Sequence, residues 1–327
     1  MKTKEKDGYT LVKNNGAEYF TVAPGVWGIK IAFVNVYIVS APDSAGNNWV
    51  LIDAGLKGSA KKIRRVAEEL FGRGTRPAAI LLTHGHFDHV GALEELLSIW
   101  NVPVYAHYLE LPYLKGLSAY PPPDPMVGGG LMSLSSWMFP KSPKDLGKKV
   151  HRLATDGSVP VLTDWNFIHT PGHSPGQVAF FRESDRTLIA ADTFVTVKQE
   201  SAFAVMMQAR RLSGPPKYFT IDWKAAKDSV SKLAALNPSI AATGHGYPME
   251  GEALRSGLAA LVDNFEELAV PNYGRYVNEP ARANKNGVQY IPRRVVNPVI
   301  LTGTGLLAAA AAFGLIWGLR RKYSSSK

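Results

Sequence analysis

Hydrophobic residues along the first hundred positions follow two rhythms in turn. Residues 26–40, VWGIKIAFVNVYIVS, are rich in β-branched and aromatic side chains and predict paired strands. Asn47 and Asn48 mark a turn into WVLID (49–53), a short buried strand that ends on Asp53. KKIRRVAEELF (61–71) alternates charged and apolar positions at helical spacing. AAILLT (78–83) then reads as a buried strand, GALEELLSIW (91–100) as a helix and VPVYAH (102–107) as a strand. Such alternation predicts an α/β layered domain.

The rhythm lapses over residues 111–148, where PPPDP, GGG and scattered aromatic and Met side chains show no sustained period. A long irregular stretch inside a compact domain points to a functional loop or lid. Regular signals return with VPVLTDWNFIHT (159–170), QVAFFRES (177–184) and TLIAADT (187–193), read as consecutive strands. A helix over 223–236, a strand and loop over 239–245 and an amphipathic helix over 252–269 follow. The resulting plan is an N-terminal arm (1–19), a domain (20–269) with the lid-like insert 111–148, and a linker (270–298) to the C-terminal tail.

Length and apolar content, 327 residues at 46% hydrophobic, suffice for one large core or two modest ones. The chain has no cysteine, which excludes disulfides, thiolate ligands and cysteine nucleophiles. Its formal charge of +10 is concentrated at the end: from Arg293 onward there are six basic and no acidic residues. The remainder holds 31 basic against 27 acidic side chains, an ordinary surface that gives no reason to expect nucleic acid as a partner.

Residues 299–319, VILTGTGLLAAAAAFGLIWGL, carry no charge, and a helix of that length spans roughly 30 Å, one bilayer core. Arg293 and Arg294 precede it; Trp317 and the basic tail 320–327 follow it. The expectation is a single-pass C-terminal transmembrane anchor. The N-terminus lacks an apolar signal region, so the catalytic domain is expected on the cytoplasmic face. Gly314 and Gly318 have a spacing through which two tails could pair as a homodimer.

The chemistry concentrates in THGHFDHVG (83–91), where His84, His86, Asp88 and His89 fall within six positions of a chain with eight histidines. Without thiolates, a zinc-type ion is held by imidazole and carboxylate. His84 and His86 project the same way from an extended loop, while Asp88 and His89 can reach a second ion. Further donors stand after other apolar runs: His173 in PGHSPG, Asp192 in ADT and His245 in TGHG. His107, His151 and His169 lack such settings and are read as structural or exposed.

These residues resemble the metallo-β-lactamase-fold superfamily over roughly 20–268, with all five motifs in order: Asp53 in LIDAG, the HxHxDH of 84–89, His173, Asp192 and His245. The resemblance implies a four-layer αββα sandwich with metals at one edge of the sheets. It implies that His84, His86 and His173 bind one metal, that Asp88, His89 and His245 bind a second, and that Asp192 bridges both. Asp53 would orient a ligand. Two divalent ions, zinc first and manganese or iron(II) as other options, would share a bridging hydroxide, with Asp88 accepting its proton. The activity implied is hydrolysis.

Departures narrow the choice. β-Lactamases of the superfamily generally lack the bridging Asp, and homoserine-lactone lactonases carry a Tyr where this chain has Val195. Neither a basic helical C-terminal region of the glyoxalase II type nor the exosite of an RNase Z is evident. The likeness is greatest to bacterial metallo-hydrolases whose insert carries a similar YPPPDPxVGGG stretch, here residues 120–130. Apolar residues of the insert, Tyr120 and Trp137 among them, together with Phe87, are candidate walls of a pocket for a small-molecule ester, thioester or lactone. The alternatives are a phosphodiesterase with the same two metals, or an oxidoreductase like the mononuclear-iron persulfide dioxygenases.

Overall fold

The computed structural model describes residues 2–6, 9–41, 48–300 and 302. Strand Val34–Ser40 shows how its layers arise. Val36 and Ile38 join an apolar cluster with Ile63, Val66, Leu93 and Leu96. Their neighbours Tyr37 and Val39 join another cluster with Phe180 and Ile189. Successive side chains of a strand face opposite ways, so this strand is buried on both faces.

The strand belongs to a nine-stranded sheet whose order follows the chain from Lys2–Lys6 to Val150–Arg152. Pairing is antiparallel as far as Trp49–Ile52, then parallel through Ala79–Leu81, Val104–Ala106 and Val150–Arg152. A second sheet of five strands runs Trp165–His169, Val178–Arg182, Thr187–Ile189, Ile240–Ala242 and Met249–Glu250. Phe20, Val50 and Leu81 of the first sheet meet Val178, Phe180 and Ala242 of the second in a shared apolar layer. Helices Ala60–Phe71 and Leu93–Trp100 cover the outer face of the first sheet. Helices Trp223–Ala235 and Gly251–Asp263 cover the outer face of the second, where Phe181 packs. The architecture is a four-layer αββα sandwich.

Local chemistry fixes several boundaries. Asp222 caps the helix Trp223–Ala235, its side chain accepting from Ala225 N at 2.9 Å. The amphipathic stretch 252–269 is expected as one helix, but it breaks at Asn264 into Gly251–Asp263 and Phe265–Leu268. A hairpin, Val195–Val197 with Arg210–Ser213, encloses a short helix, Ala202–Met207, which the periodicity does not reveal.

Residues 9–19 differ from the expected arm. Tyr9–Asn14 and Ala17–Ala23 are strands of the large sheet, and Tyr9 stacks on Tyr247 with centroids 4.4 Å apart. The expected linker 270–298 folds back over the insert instead. Tyr276 Oη donates to Pro122 O at 2.7 Å, Arg275 N to Asp124 Oδ2 at 2.5 Å and Asn297 Nδ2 to Met126 O at 3.0 Å.

The membrane anchor requires correction. Among the described residues no helix is long and apolar enough to cross a membrane. Of 299–319 only Val299, Ile300 and Thr302 are described, and Gly314 and Gly318 with the basic tail lie outside the described residues. The expected single-pass, cytoplasm-facing placement therefore has no spanning helix among the described residues to rest on, and tail-to-tail pairing has no support there.

Candidate metal centre

Parallel pairing brings the candidate ligands to one edge. Asp53 ends strand Trp49–Ile52, and His84 and His86 follow its parallel neighbour Ala79–Leu81. Asp88 and His89 lie on the short helix Phe87–Val90. In the second sheet Thr187–Ile189 and Ile240–Ala242 are parallel, and they lead to Asp192 and His245. Trp165–His169 and Thr187–Ile189 are each antiparallel to Val178–Arg182, so they run alike and His173 emerges at the same edge. Asp53 and Ala191 hold φ of +63° and +50°, a left-handed conformation costly for residues other than glycine. Such strain next to Asp192 and within the Asp53 turn fits a site whose geometry is enforced by its surroundings.

The side chains form two triads joined by a third group, His84, His89 and Asp192, whose donor atoms also lie within 4.8 Å of one another. Donor atoms of His84, His86 and His173 lie within 4.8 Å of one another, as do those of Asp88, His89 and His245. Asp192 stands between them, with Oδ2 3.4 Å from His173 Nε2 and 3.1 Å from His245 Nε2. His89 Nε2 is 3.7 Å from the same oxygen, and His245 Nε2 is 3.6 Å from Asp88 Oδ2. All seven residues are buried.

Each orienting contact is a specific hydrogen bond. Asp53 accepts from Thr83 N at 2.8 Å and from Thr83 Oγ1 at 2.7 Å. Its Oδ2 lies 2.7 Å from His89 Nδ1, which assigns the ring proton there and turns the Nε2 lone pair into the site. His245 Nδ1 lies 2.7 Å from Phe33 O, with the same consequence for its Nε2. The loop carrying His245 is held by Asn35 Nδ2, which donates to Thr243 O at 2.8 Å and Gly246 O at 2.5 Å, and by Tyr37 Oη, which donates to Thr243 O at 2.6 Å.

The donor set fits divalent metal. His84 Nε2, His89 Nε2 and Asp192 Oδ1 are buried without a hydrogen-bond partner. His86 Nδ1 and His173 Nε2 face each other at 3.0 Å. Orphaned buried polar atoms are costly unless something satisfies them, and here they converge. Burial, reinforced by neighbouring imidazoles, pushes the pKa of His84 and His86 well below the ordinary value. Burial lowers His173 to about 4. Burial opposes charge on His89 too, but Asp53, Asp192 and Asp88 outweigh it and raise its pKa. Burial likewise opposes the Asp192 anion, yet His245 and His89 hold its pKa well below the carboxylate range. The converging donors are imidazole nitrogens and carboxylate oxygens, the set that a borderline divalent cation takes.

The proposed pocket walls separate in the structure. Phe87 lies 5.4 Å from Phe139 and 6.3 Å from Phe219, centroid to centroid, and Phe219 stacks on His86 at 4.5 Å. Tyr120 is buried against His86 at 4.6 Å. Trp137 is 69% exposed and has no ring partner among the described residues, so it does not join that aromatic group. Sequence reading missed Thr83, Asn35, Phe219 and Glu110. Thr83 carried a usable signal, since it directly precedes the HxHxDH motif; the other three carried none.

Of the remaining histidines, His107 and His169 stack at 4.1 Å, while His151 is exposed on Val150–Arg152. Burial, then the neighbouring His169, lowers His107 to about 3. Below its ordinary value of about 6.5 an unfolded His107 takes a proton that the folded one refuses, so stability falls as pH drops through that window. The melting temperature of His107→Gln should therefore decline less between pH 7 and 5 than that of the parent. Equal declines would remove His107 from the account.

The family model of the Metallo-beta-lactamase superfamily matches residues 30–245, a span that holds all seven ligand candidates. The chain belongs to the metallo-β-lactamase superfamily. It is 45% identical over 249 residues to the probable metallo-hydrolase YflN of Bacillus subtilis, covering 76% of this chain and 94% of that protein. The probable metallo-hydrolase YybB of the same organism is 28% identical over 201 residues, 62% of this chain and 77% of that one. The fold is similar to that of the metallo-beta-lactamase family protein TTHA1429 from Thermus thermophilus, with a TM-score of 0.52 at 19% identity, over 75% of this chain and 81% of that one. Within the superfamily the chain groups with metallo-hydrolases, and its His/Asp cluster suits divalent metals.

Proposed function

We propose that the protein is a dinuclear metallo-hydrolase acting on an ester, thioester or lactone with an apolar acyl group. His84, His86 and His173 would hold one divalent ion, and Asp88, His89 and His245 the other, with Asp192 shared between them. The observation that carries this reading is the position of Asp192 Oδ2, which touches a histidine of each triad at 3.4 and 3.1 Å. Two zinc-type ions, when bound, would supply Lewis-acid activation of water and of the scissile carbonyl.

The chain's own groups do the rest. Asp53 fixes the His89 ring through its Nδ1 proton, and Phe33 O does the same for His245. Asp88, whose carboxyl pKa is raised by burial, is placed to take the proton of the attacking water at a carboxylate oxygen. Phe87, Phe139 and Phe219 supply an apolar wall next to His86, which favours an acyl group and helps exclude bulk water. We further propose that the chain belongs with the bacterial metallo-hydrolases that share its YPPPDPxVGGG insert.

The test is metal analysis of the full chain followed by parallel ester, thioester, lactone and phosphodiester panels. Two zinc or manganese ions per chain with ester, thioester or lactone turnover is the expected result. Turnover of phosphodiesters alone would overturn the substrate class. One iron per chain with oxygen consumption would overturn hydrolysis itself.

A further inference from the structure

Glu110 is a fully buried carboxylate that is not among the seven candidate ligands. Its two oxygens serve different loops. Oε2 accepts from Gly85 N at 2.9 Å, and Gly85 is the residue between His84 and His86. Oε1 accepts from Gly176 N at 2.7 Å and from Ser174 Oγ at 3.0 Å, on the loop that carries His173. One rigid group therefore sets the separation of the two segments that build the first triad.

The insert supplies the fourth donor. Tyr120 Oη donates to Glu110 Oε2 and accepts from Gly85 N at 2.9 Å, while the Tyr120 ring lies against His86 and stacks on Tyr113 at 3.9 Å. Space at this junction admits only glycine. A Cβ on Gly85 would sit 2.7 Å from Tyr120 Oη, and one on Gly176 would sit 2.8 Å from Glu110 Cγ. Burial raises the Glu110 pKa, but all four neighbours are donors and none requires a proton from it, so the carboxylate form is the one that is satisfied. The segment of the insert beyond Tyr120 is pinned in turn by Tyr276 on Pro122 O and by Arg275 N on Asp124.

We propose that Glu110 and Tyr120 form a buckle that positions the first metal triad and makes its affinity depend on the docked insert. Glu110 and Tyr120 are positioning residues: they act on the metal through the Gly85 and Gly176 backbone. This rests on the two-metal reading of the site. Groups that orient metal ligands typically contribute about 10–100-fold to metal affinity. Glu110→Gln keeps the shape but turns an NH₂ group toward donors on one side, so it separates the two loops. Tyr120→Phe keeps the ring on His86 and removes only the hydroxyl.

Zinc dissociation constants of the full chain, measured by competition with a chromophoric chelator, decide the matter alongside melting of the metal-free protein. Glu110→Gln is expected to weaken one of two zinc sites by about 10–100-fold and Tyr120→Phe the same site by about 10-fold, with the other site within about 2-fold of the parent. Wild-type affinity at both sites in both variants would overturn the buckle, as would equal weakening of both sites in step with a lowered metal-free melting temperature. If Glu110→Gln does not fold, Tyr120→Phe alone decides. Failure of the parent to bind two zinc ions would instead sink the two-metal reading, a result distinct from unchanged variants of a protein that does bind them.

Discussion

His86→Ala is expected to lower turnover at least about 10³-fold, the equivalent of roughly 4 kcal/mol of transition-state stabilisation supplied by a correctly held cation. The His86 Nδ1 atom lies 3.0 Å from His173 Nε2 and belongs to the triad completed by His84. With the imidazole gone, two nitrogens would remain for the proposed ion, and the aromatic support from Phe219 and Tyr120 would have nothing to orient. The fold should survive, because His86 sits on a loop beyond Ala79–Leu81 and outside the apolar layer between the sheets. Metal content, turnover and melting temperature should be measured together. A folded His86→Ala protein with parental metal content and parental rate would refute the metal assignment for this residue.

Gly244→Ala should do comparable damage without touching a donor atom. A Cβ on Gly244 would stand 1.9 Å from Asp192 Oδ1 and 3.0 Å from His89 Cε1. The backbone there has little freedom to retreat: Gly244 N donates to Ala191 O at 2.8 Å, and Gly244 O accepts from Asn35 N at 2.8 Å. Asn35 Nδ2 and Tyr37 Oη clamp the carbonyls on either side. The carboxylate of Asp192 must therefore be the part that moves, and it touches a histidine of each triad. A displacement of about 1 Å in a catalytic group can cost on the order of 10²-fold in rate. The expected result is substoichiometric metal with a rate reduced by about that factor. Two bound ions and an unchanged rate would show that the site tolerates the methyl group and that the clamps do not confine it.

The seven candidate ligands were legible because each combines a metal-binding side chain with a place just after an apolar run. The structure explains that placement, since parallel neighbours such as Thr187–Ile189 and Ile240–Ala242 end at one edge. Glu110 was illegible because its partners are scattered along the chain, two of them backbone amides 25 positions before it at Gly85 and 66 after it at Gly176. No local pattern encodes such contacts. The segment 9–19 was misread because its burial keeps no two-residue period: in Tyr9–Asn14, Tyr9 and Val12 are buried, Lys13 is exposed and the rest are half-buried, so the alternation that marks a strand is missing. The segment 270–298 was misread because composition registers its Pro, Asn and Arg content but not what its amides meet. The apolar stretch 299–319 suggested a membrane span from composition alone, whereas among the described residues no helix supports one.

The two sheets divide the proposed ligands between them. Segments that follow strands of the first carry His84, His86, Asp88 and His89; those that follow strands of the second carry His173, Asp192 and His245. Behind those two sets lies the layer where Phe20 and Val50 meet Val178 and Phe180, so its thickness sets how far apart the sheets carry them, while Glu110 ties the Gly85 and Gly176 loops directly. That greasy interior is therefore one gauge of the candidate site. A change in its side-chain volumes would shift the spacing of the candidate ligands without altering any of them.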